Sequence, residues 1–456
     1  MNEIALWAQL GVFLAIAAFY GFSRSASFFH PISFYLLFHF ICFVLRPFLI
    51  HYLGFNRVWV YMGFFPTPEQ FNFTLLVTSI ALFAFVAACW PMGKVDLALE
   101  DVRLLEFSIS QNWALAWTWV LLGPLALYSA TFAVKPIGID DDAADIQMTQ
   151  DMVTGNTIFV NTTGYLVDAQ TMLGPLVVMT MWRFRFALWT WLLPAGFIAY
   201  RTILGSRWLI VAMAFTLVMI HLLRQRKKWF QIRYLVVFFP LFILFQNMGA
   251  DRNYLRDKIN GTQHTNFDFQ YRDDRTWLQK QDSPDFANFD FLTFILWVVP
   301  ARSHTYTYFT QYLQLFTEPI PRILWPEKPV GAPIRLINFN DYGNFIGLTD
   351  SLVGDGWKSA GWLGIFVTMG MVGFGLGLMH RHFWRRLDDP ATVIFYCTFL
   401  PLTITWFRDG GIYIAKYALF TIFPIMVWRG LTRVSDEMQR SQEQWAPRLP
   451  RRDRRR

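Results

Sequence analysis

Apolar residues in this chain gather into long unbroken runs rather than stripes of helical period or alternations of period two. Runs lie near 4–22, 33–50, 72–91, 112–134, 158–181, 186–204, 208–223, 229–247, 360–379, 391–407 and 411–429. Each approaches the roughly 17 to 25 residues that let a helix cross about 30 Å of hydrocarbon. Only helices and closed barrels satisfy every backbone group in lipid, and barrel strands would alternate, which these runs do not. The pattern predicts an all-α polytopic integral membrane protein with about eleven transmembrane helices, within a range of about ten to twelve. The run Phe289 to Pro300 is too short to cross. It is expected as an interfacial or re-entrant segment, or as a tilted twelfth span.

One long polar stretch, 251–358, interrupts this pattern. The chain therefore reads as one polytopic unit in four parts: helices over 1–250, a large loop over 251–358, further helices over 359–430, and a basic tail over 431–456. Within the loop, 251–290 is charged. The stretch 289–316 is aromatic, and Tyr306, Tyr308, Tyr312 and Phe316 predict an amphipathic helix lying on the membrane. Pro319, Pro321, Pro326, Pro329 and Pro333 then forbid continuous helix and predict a stiff extended segment.

Charge sets the expected topology. A net charge of +8 would fit nucleic acid, but the basic residues form short clusters beside span ends: Arg183/Arg185, Arg224 to Lys228, His380 to Arg386, and Arg448 to Arg456. The positive-inside rule reads these as cytoplasmic anchors, so no nucleic-acid partner is expected. The polar loop and the acidic connection 135–157 then fall outside and the C-terminus inside. The flank Met1-Asn-Glu lacks the positive region of a signal peptide, so the first span is expected to be retained. Cys42, Cys89 and Cys397 lie within expected spans, which leaves no disulfide framework and no metal-ligand spacing.

The external arginines are not covered by that rule. Arg46 precedes Pro47 in the second span, and Arg201 and Arg207 bracket Gly205-Ser206 in a tight turn. Arg302 follows the short apolar run, Arg322 lies among the prolines, and Arg408 precedes Asp409-Gly-Gly411. Ionisable groups at membrane depth default to a functional hypothesis, and guanidinium matches phosphate bidentately. Arg201, Arg207, Arg302, Arg322 and Arg408 are therefore the expected pyrophosphate-binding set; the plain alternative is that each pairs with a carboxylate or snorkels to headgroups. Candidate proton acceptors are His304, Asp355 and Glu318, with Glu327, Asp350 and Asp409 also external. Glycines flank Asp355, so backbone can approach a ligand there. Arg46, Trp325, Lys328, Ser351 and Trp357 complete the candidate substrate contacts. No Walker loop, zinc motif or nucleophile elbow occurs, so neither cofactor nor tightly bound metal is expected.

Pro321-Arg-Ile-Leu-Trp-Pro-Glu-Lys-Pro329, the downstream Ser351-x-x-Gly-x-x-x-x-x-x-Gly361-x-x-Gly364 and the Gly205-Ser-Arg207 turn resemble the Wzy-type oligosaccharide repeat unit polymerases. The resemblance covers the organisation of most of the chain, with sharp motifs only within 200–365. It implies a GT-C-like architecture in the bacterial inner membrane. It also implies an inverting, metal-independent glycosyltransferase that moves a growing glycan from undecaprenyl pyrophosphate onto an incoming lipid-linked repeat unit. A chain-length regulator is the implied protein partner, alongside membrane lipid. The alternatives are an O-antigen ligase and a transporter or flippase of lipid-linked oligosaccharides.

Overall fold

The computed structural model describes residues 3–95, 106–134, 148–150, 157–159, 164–203, 207–234, 236, 282, 284–317, 319–320, 324–325, 327–329, 331–344 and 350–445. In chain order the helices are α1 (Glu3–Gly21), α2 (Pro31–His39), α3 (Arg46–Leu53), α4 (Arg57–Met62), α5 (Pro68–Gly93), α6 (Ile109–Val134), α7 (Leu173–Arg183), α8 (Leu192–Ile203), α9 (Arg207–Arg224), α10 (Asn288–Val298), α11 (Gln314–Thr317), α12 (Ser351–Arg385), α13 (Pro390–Asp409) and α14 (Gly411–Trp445). A π-helical turn (Phe40–Leu45) joins α2 to α3, and 3-10 turns lead into α7, α8 and α11. The strands among the described residues are β1 (Met148–Gln150) and β2 (Thr157–Phe159), which pair antiparallel with Met148 opposite Phe159. Among the described residues, six helices are long and apolar enough to cross a membrane: 3–21, the bent rod 31–53, 68–93, 109–131, 351–385 and 390–409. The protein is thus a predominantly helical, polytopic membrane protein. Most of the expected span 229–247 lies outside the described residues.

Local chemistry sets the helix ends. Thr67 and Gln70 form a reciprocal capping box ahead of Pro68, which as first helical residue has no amide hydrogen to leave unpaired. Asp389 accepts from the Ala391 amide ahead of Pro390 in the same way. Pro47 at the head of α3 removes one backbone donor from the 31–53 rod, and the π turn just before it absorbs the mismatch.

At the centre, 89% of the apolar window of α13 is buried within the protein, against 22% for α1 at the edge. α12 lies along α5 so closely that a β-carbon on Gly373 would come within 2.6 Å of the Phe85 carbonyl oxygen, and one on Gly377 within 2.6 Å of that of Cys89. Small residues four apart permit this backbone approach, which lipid-embedded helices use in place of a hydrophobic driving force.

Contacts divide the bundle into two ends. At one, Glu3 meets His51, Arg46 meets Asp290, and the Gly411 amide meets Asp355. At the other, Arg185 meets Glu106, the Phe28 amide meets the Lys228 carbonyl, and Arg429 meets Asp389. Described residues of the polar loop, among them Asp290, Tyr312 and Asp355, gather at the first, the loop end, and Arg183, Arg185, Arg224, Arg385 and Arg429 at the second, the basic end. α14, at 35 residues, is roughly 52 Å long at 1.5 Å per residue and outruns a bilayer core.

Three expectations for the loop need correction. The helix begins at Ser351, so 351–358 belongs to α12, which breaks at Ala360 (φ −163°) and Gly361 (φ 59°). The short apolar run does not lie on the interface, because Phe289, Phe291, Leu292, Phe294, Ile295 and Val298 of α10 are all fully buried. Nor do residues 306–316 form one amphipathic helix. Tyr308 and Phe309 adopt left-handed conformations, so regular helix is confined to the 3-10 turn and α11.

Candidate functional site

Two polar constellations occupy the loop end. The first is a closed brace on Asp355, in the second turn of α12. Its carboxylate accepts from the Tyr312 hydroxyl at 2.8 Å, the Gly411 amide at 2.8 Å and the Lys358 ammonium at 2.9 Å. Lys358 also contacts Asp350, and the side chains of Asp350, Asp355 and Lys358 are at most 3% exposed. Gln311 donates to Ser359 Oγ at 2.8 Å. The Thr307 and Tyr308 amides donate to the Lys358 and Ser359 carbonyls, which the break in α12 leaves without helical donors. Burial, with the Asp355 carboxylate beside it, holds the Tyr312 phenol well above its usual range, so it remains a donor. Three donors, one of them a buried cation, thus occupy this carboxylate. The geometry makes Asp355 a strut among the 3-10 turn that leads into α11, α12 and the α13–α14 turn.

The second constellation lines a groove among α8, α9, α13 and α14. Arg201, 3% exposed near the end of α8, sits 5.3 Å from the Phe197 ring and 5.5 Å from that of Tyr200. It borders a cavity of about 40 Å³ with Thr171, Leu209, Leu402 and Tyr417 among its walls. Arg408, in the last turn of α13, does not line this cavity; its guanidinium lies 5.1 Å from the Trp208 ring and 2.8 Å from Asp409 Oδ1. The Arg408 carbonyl accepts from Asn288 Nδ2 at 2.9 Å, which fixes the turn against the head of α10. Gly410 (φ 89°) allows α13 to end there and α14 to start at once, and a β-carbon on Gly410 would lie 3.0 Å from Asp355 Oδ2.

The remaining candidates scatter. Arg46 is buried in a triad, at 2.8 Å from both Asp282 and Asp290, which makes it a tie between the second span and α10 rather than a substrate contact. Trp357 donates its indole N–H to the Val299 carbonyl at 2.8 Å and packs edge-on to Phe73 and Trp362, so its ring offers no face to a sugar. Ser351 is buried and its Oγ accepts from the Gly354 amide, while buried Lys328 donates to the Ile320 carbonyl at 2.9 Å. Trp325 is exposed. Arg302, exposed, has its guanidinium 3.8 Å from the Trp297 ring, and His304, exposed, stands in the turn two residues on. These two follow the far end of α10, and the chain then returns to α12, where the Thr307 amide meets the Lys358 carbonyl. Glu318, Arg322 and the Gly205-Ser206 turn lie outside the described residues, as does the side chain of Arg207, the first residue of α9.

The described arginines of the expected set have separate surroundings: Arg201 lines the cavity, Arg408 lies over Trp208, Arg302 lies over Trp297, and the substrate candidate Arg46 is paired. Tyr312, Gln311, Trp208 and Tyr417 had no signal of their own in the sequence beyond being polar or aromatic near span ends. Asp290 did have one, as a lone carboxylate inside an apolar run. Among the described residues no group of three or more His, Cys, Asp and Glu side chains is arranged to hold a metal ion. No family model, curated protein or solved structure matches the chain.

Proposed function

We propose that this protein is a membrane-embedded glycosyltransferase that polymerises undecaprenyl-pyrophosphate-linked oligosaccharide repeat units in the bacterial inner membrane, at the periplasmic face. The observation that carries the reading is that Arg201 and Arg408 both lie toward the end of the bundle opposite the basic clusters, Arg201 on the wall of a small cavity and Arg408 over Trp208 at the start of α9. Two guanidinium groups at the same end of the bundle suit a pyrophosphate whose lipid tail stays in the bilayer. The sequence resemblance supplies the substrate class.

In this reading the acceptor hydroxyl attacks the anomeric carbon of the growing glycan from the face opposite the leaving group. The new C–O bond forms as the bond to pyrophosphate breaks, and the departing oxygen keeps the electron pair. Arg201 and Arg408 stabilise that developing charge. The hydroxyl proton passes to the Asp409 carboxylate, which substrate binding releases by drawing Arg408 onto phosphate. Asp409 is chosen because it already pairs with Arg408, and His304, exposed in the turn after α10, is the alternative acceptor. A chain-length regulator remains the proposed protein partner.

The test is a deletion strain complemented with Arg201→Ala, Arg408→Ala or Arg322→Ala. The first two are expected to reduce the polymer ladder to a single repeat while protein persists in the membrane. Normal-length polymer from both would remove the arginine pair. Full-length glycan left unattached to its final acceptor would indicate a ligase. Repeat units retained on the cytoplasmic leaflet would indicate a flippase.

A further inference from the structure

A second concave site lies at the basic end, between α6, α7 and α9. Its cavity of about 420 Å³ is lined by Glu106, Phe107, Trp182, Arg183, Phe184, Arg185, Phe186 and Arg224. Three of these side chains are cationic and one is anionic. The turn after α7 builds the site: Arg185 (φ 52°) and Phe186 (φ 58°) are consecutive left-handed residues, a conformation that side chains with a β-carbon seldom adopt. Each guanidinium has a fixed place. Arg183 lies 5.4 Å from the Phe184 ring, and Arg224 lies 4.9 Å from the Phe186 ring and donates to the Arg185 carbonyl at 3.3 Å. Arg185 pairs with Glu106. Charges that merely set topology need only lie near a span end. Here Arg183 and Arg224 lie over aromatic rings and Arg185 pairs with Glu106, all around a shared hollow, which gathers planar donors suited to an oxyanion.

We infer that this hollow is a binding site for a phosphate group, and that its source is the headgroup of an anionic phospholipid. Basic pockets between transmembrane helices suit such headgroups. Beside this one the surface is strongly apolar: Leu188 is 88% exposed and Leu192 74%, with Trp189 and Trp191 exposed between them. Acyl chains would lie along that surface while the phosphate enters the hollow. The site is separate from the groove at the loop end and requires nothing of the proposed reaction.

The test uses the full chain in nanodiscs of pure dioleoyl phosphatidylcholine or with 30% dioleoyl phosphatidylglycerol added, and reads thermal stability and lipid retention by native mass spectrometry. A ligand that binds only the folded state raises Tm with its concentration. Phosphatidylglycerol is expected to raise the Tm of the wild type and to be retained. Arg183→Gln/Arg224→Gln is expected to weaken that retention by about tenfold or more, the scale of losing charge-assisted contacts to phosphate. Glu106→Gln, which removes the competing carboxylate, is expected to strengthen it, and this gives a direction that misfolding cannot imitate. Inorganic phosphate at millimolar concentration reproducing the shift in phosphatidylcholine discs would support the anion site and assign it to a soluble phosphoester. Equal phosphatidylglycerol retention by wild type and the double-arginine variant, or none by the wild type, would overturn the inference.

Discussion

Lys358 is enclosed between Asp350 and Asp355 with no exposed side-chain surface, so its removal leaves two buried carboxylates without their cation. Breaking a buried ion pair by deleting one partner costs about 3–5 kcal/mol. Lys358→Met is therefore expected to lower the Tm of the purified protein sharply, and adding Asp355→Asn is expected to restore part of the loss. Equal stability of Lys358→Met and wild type would contradict the brace. Tyr312→Phe removes one hydrogen bond to Asp355, worth about 1.5–3 kcal/mol because its acceptor is charged. The folded phenol titrates well above its ordinary value near 10. A raised value keeps this stabilisation fully present below that ordinary value and removes it as pH rises through the folded one. The Tyr312→Phe deficit should thus be constant between about pH 6 and 9 in thermal melts; a deficit that varies within this window would refute the assignment. Asp355 could be picked out of the sequence by its flanking glycines. Its meaning could not, because Tyr312 is 43 and Gly411 56 positions away, and only packing brings them to one carboxylate.

Among the elements, α12 on α5 depends on Gly373 and Gly377, whose missing β-carbons would strike backbone rather than a flexible side chain. Gly377→Leu should force the helices apart and cause loss of folded protein in fluorescence-detected size exclusion. Gly375→Leu, with open space around the added atom, should not. Comparable loss from both would mean that the stripe is incidental. Long apolar runs were legible because composition alone decides whether a helix can lie in lipid. α10 was legible as too short to cross, yet its burial was not. That depends on Arg46 meeting Asp290 across 244 positions, which no local pattern encodes. Likewise the aromatic repeat over 306–316 looked helical, whereas the amides of Thr307 and Tyr308 are drawn to the broken turn of α12.

For the whole molecule, the separation of a basic end from a loop end is internally consistent, and the positive-inside rule gives it a direction. All three native cysteines are buried, so single introduced cysteines report cleanly. Phe316→Cys, at a site 76% exposed at the loop end, is expected to react with a membrane-impermeant maleimide in intact spheroplasts. Arg385→Cys at the basic end is expected to react only after permeabilisation; the reverse order would invert the topology and place Arg201 and Arg408 on the wrong side for the proposed substrate.

The most direct measurement is a reconstituted reaction. The purified full-length chain is given isolated undecaprenyl-pyrophosphate-linked repeat units in a chelator, beside Arg201→Ala and Arg408→Ala. The account predicts a ladder of lipid-linked oligomers, with one undecaprenyl pyrophosphate released per added repeat, from wild type and not from either variant. Repeat units that stay single with the wild-type protein, or a ladder equally long from both variants, would contradict it.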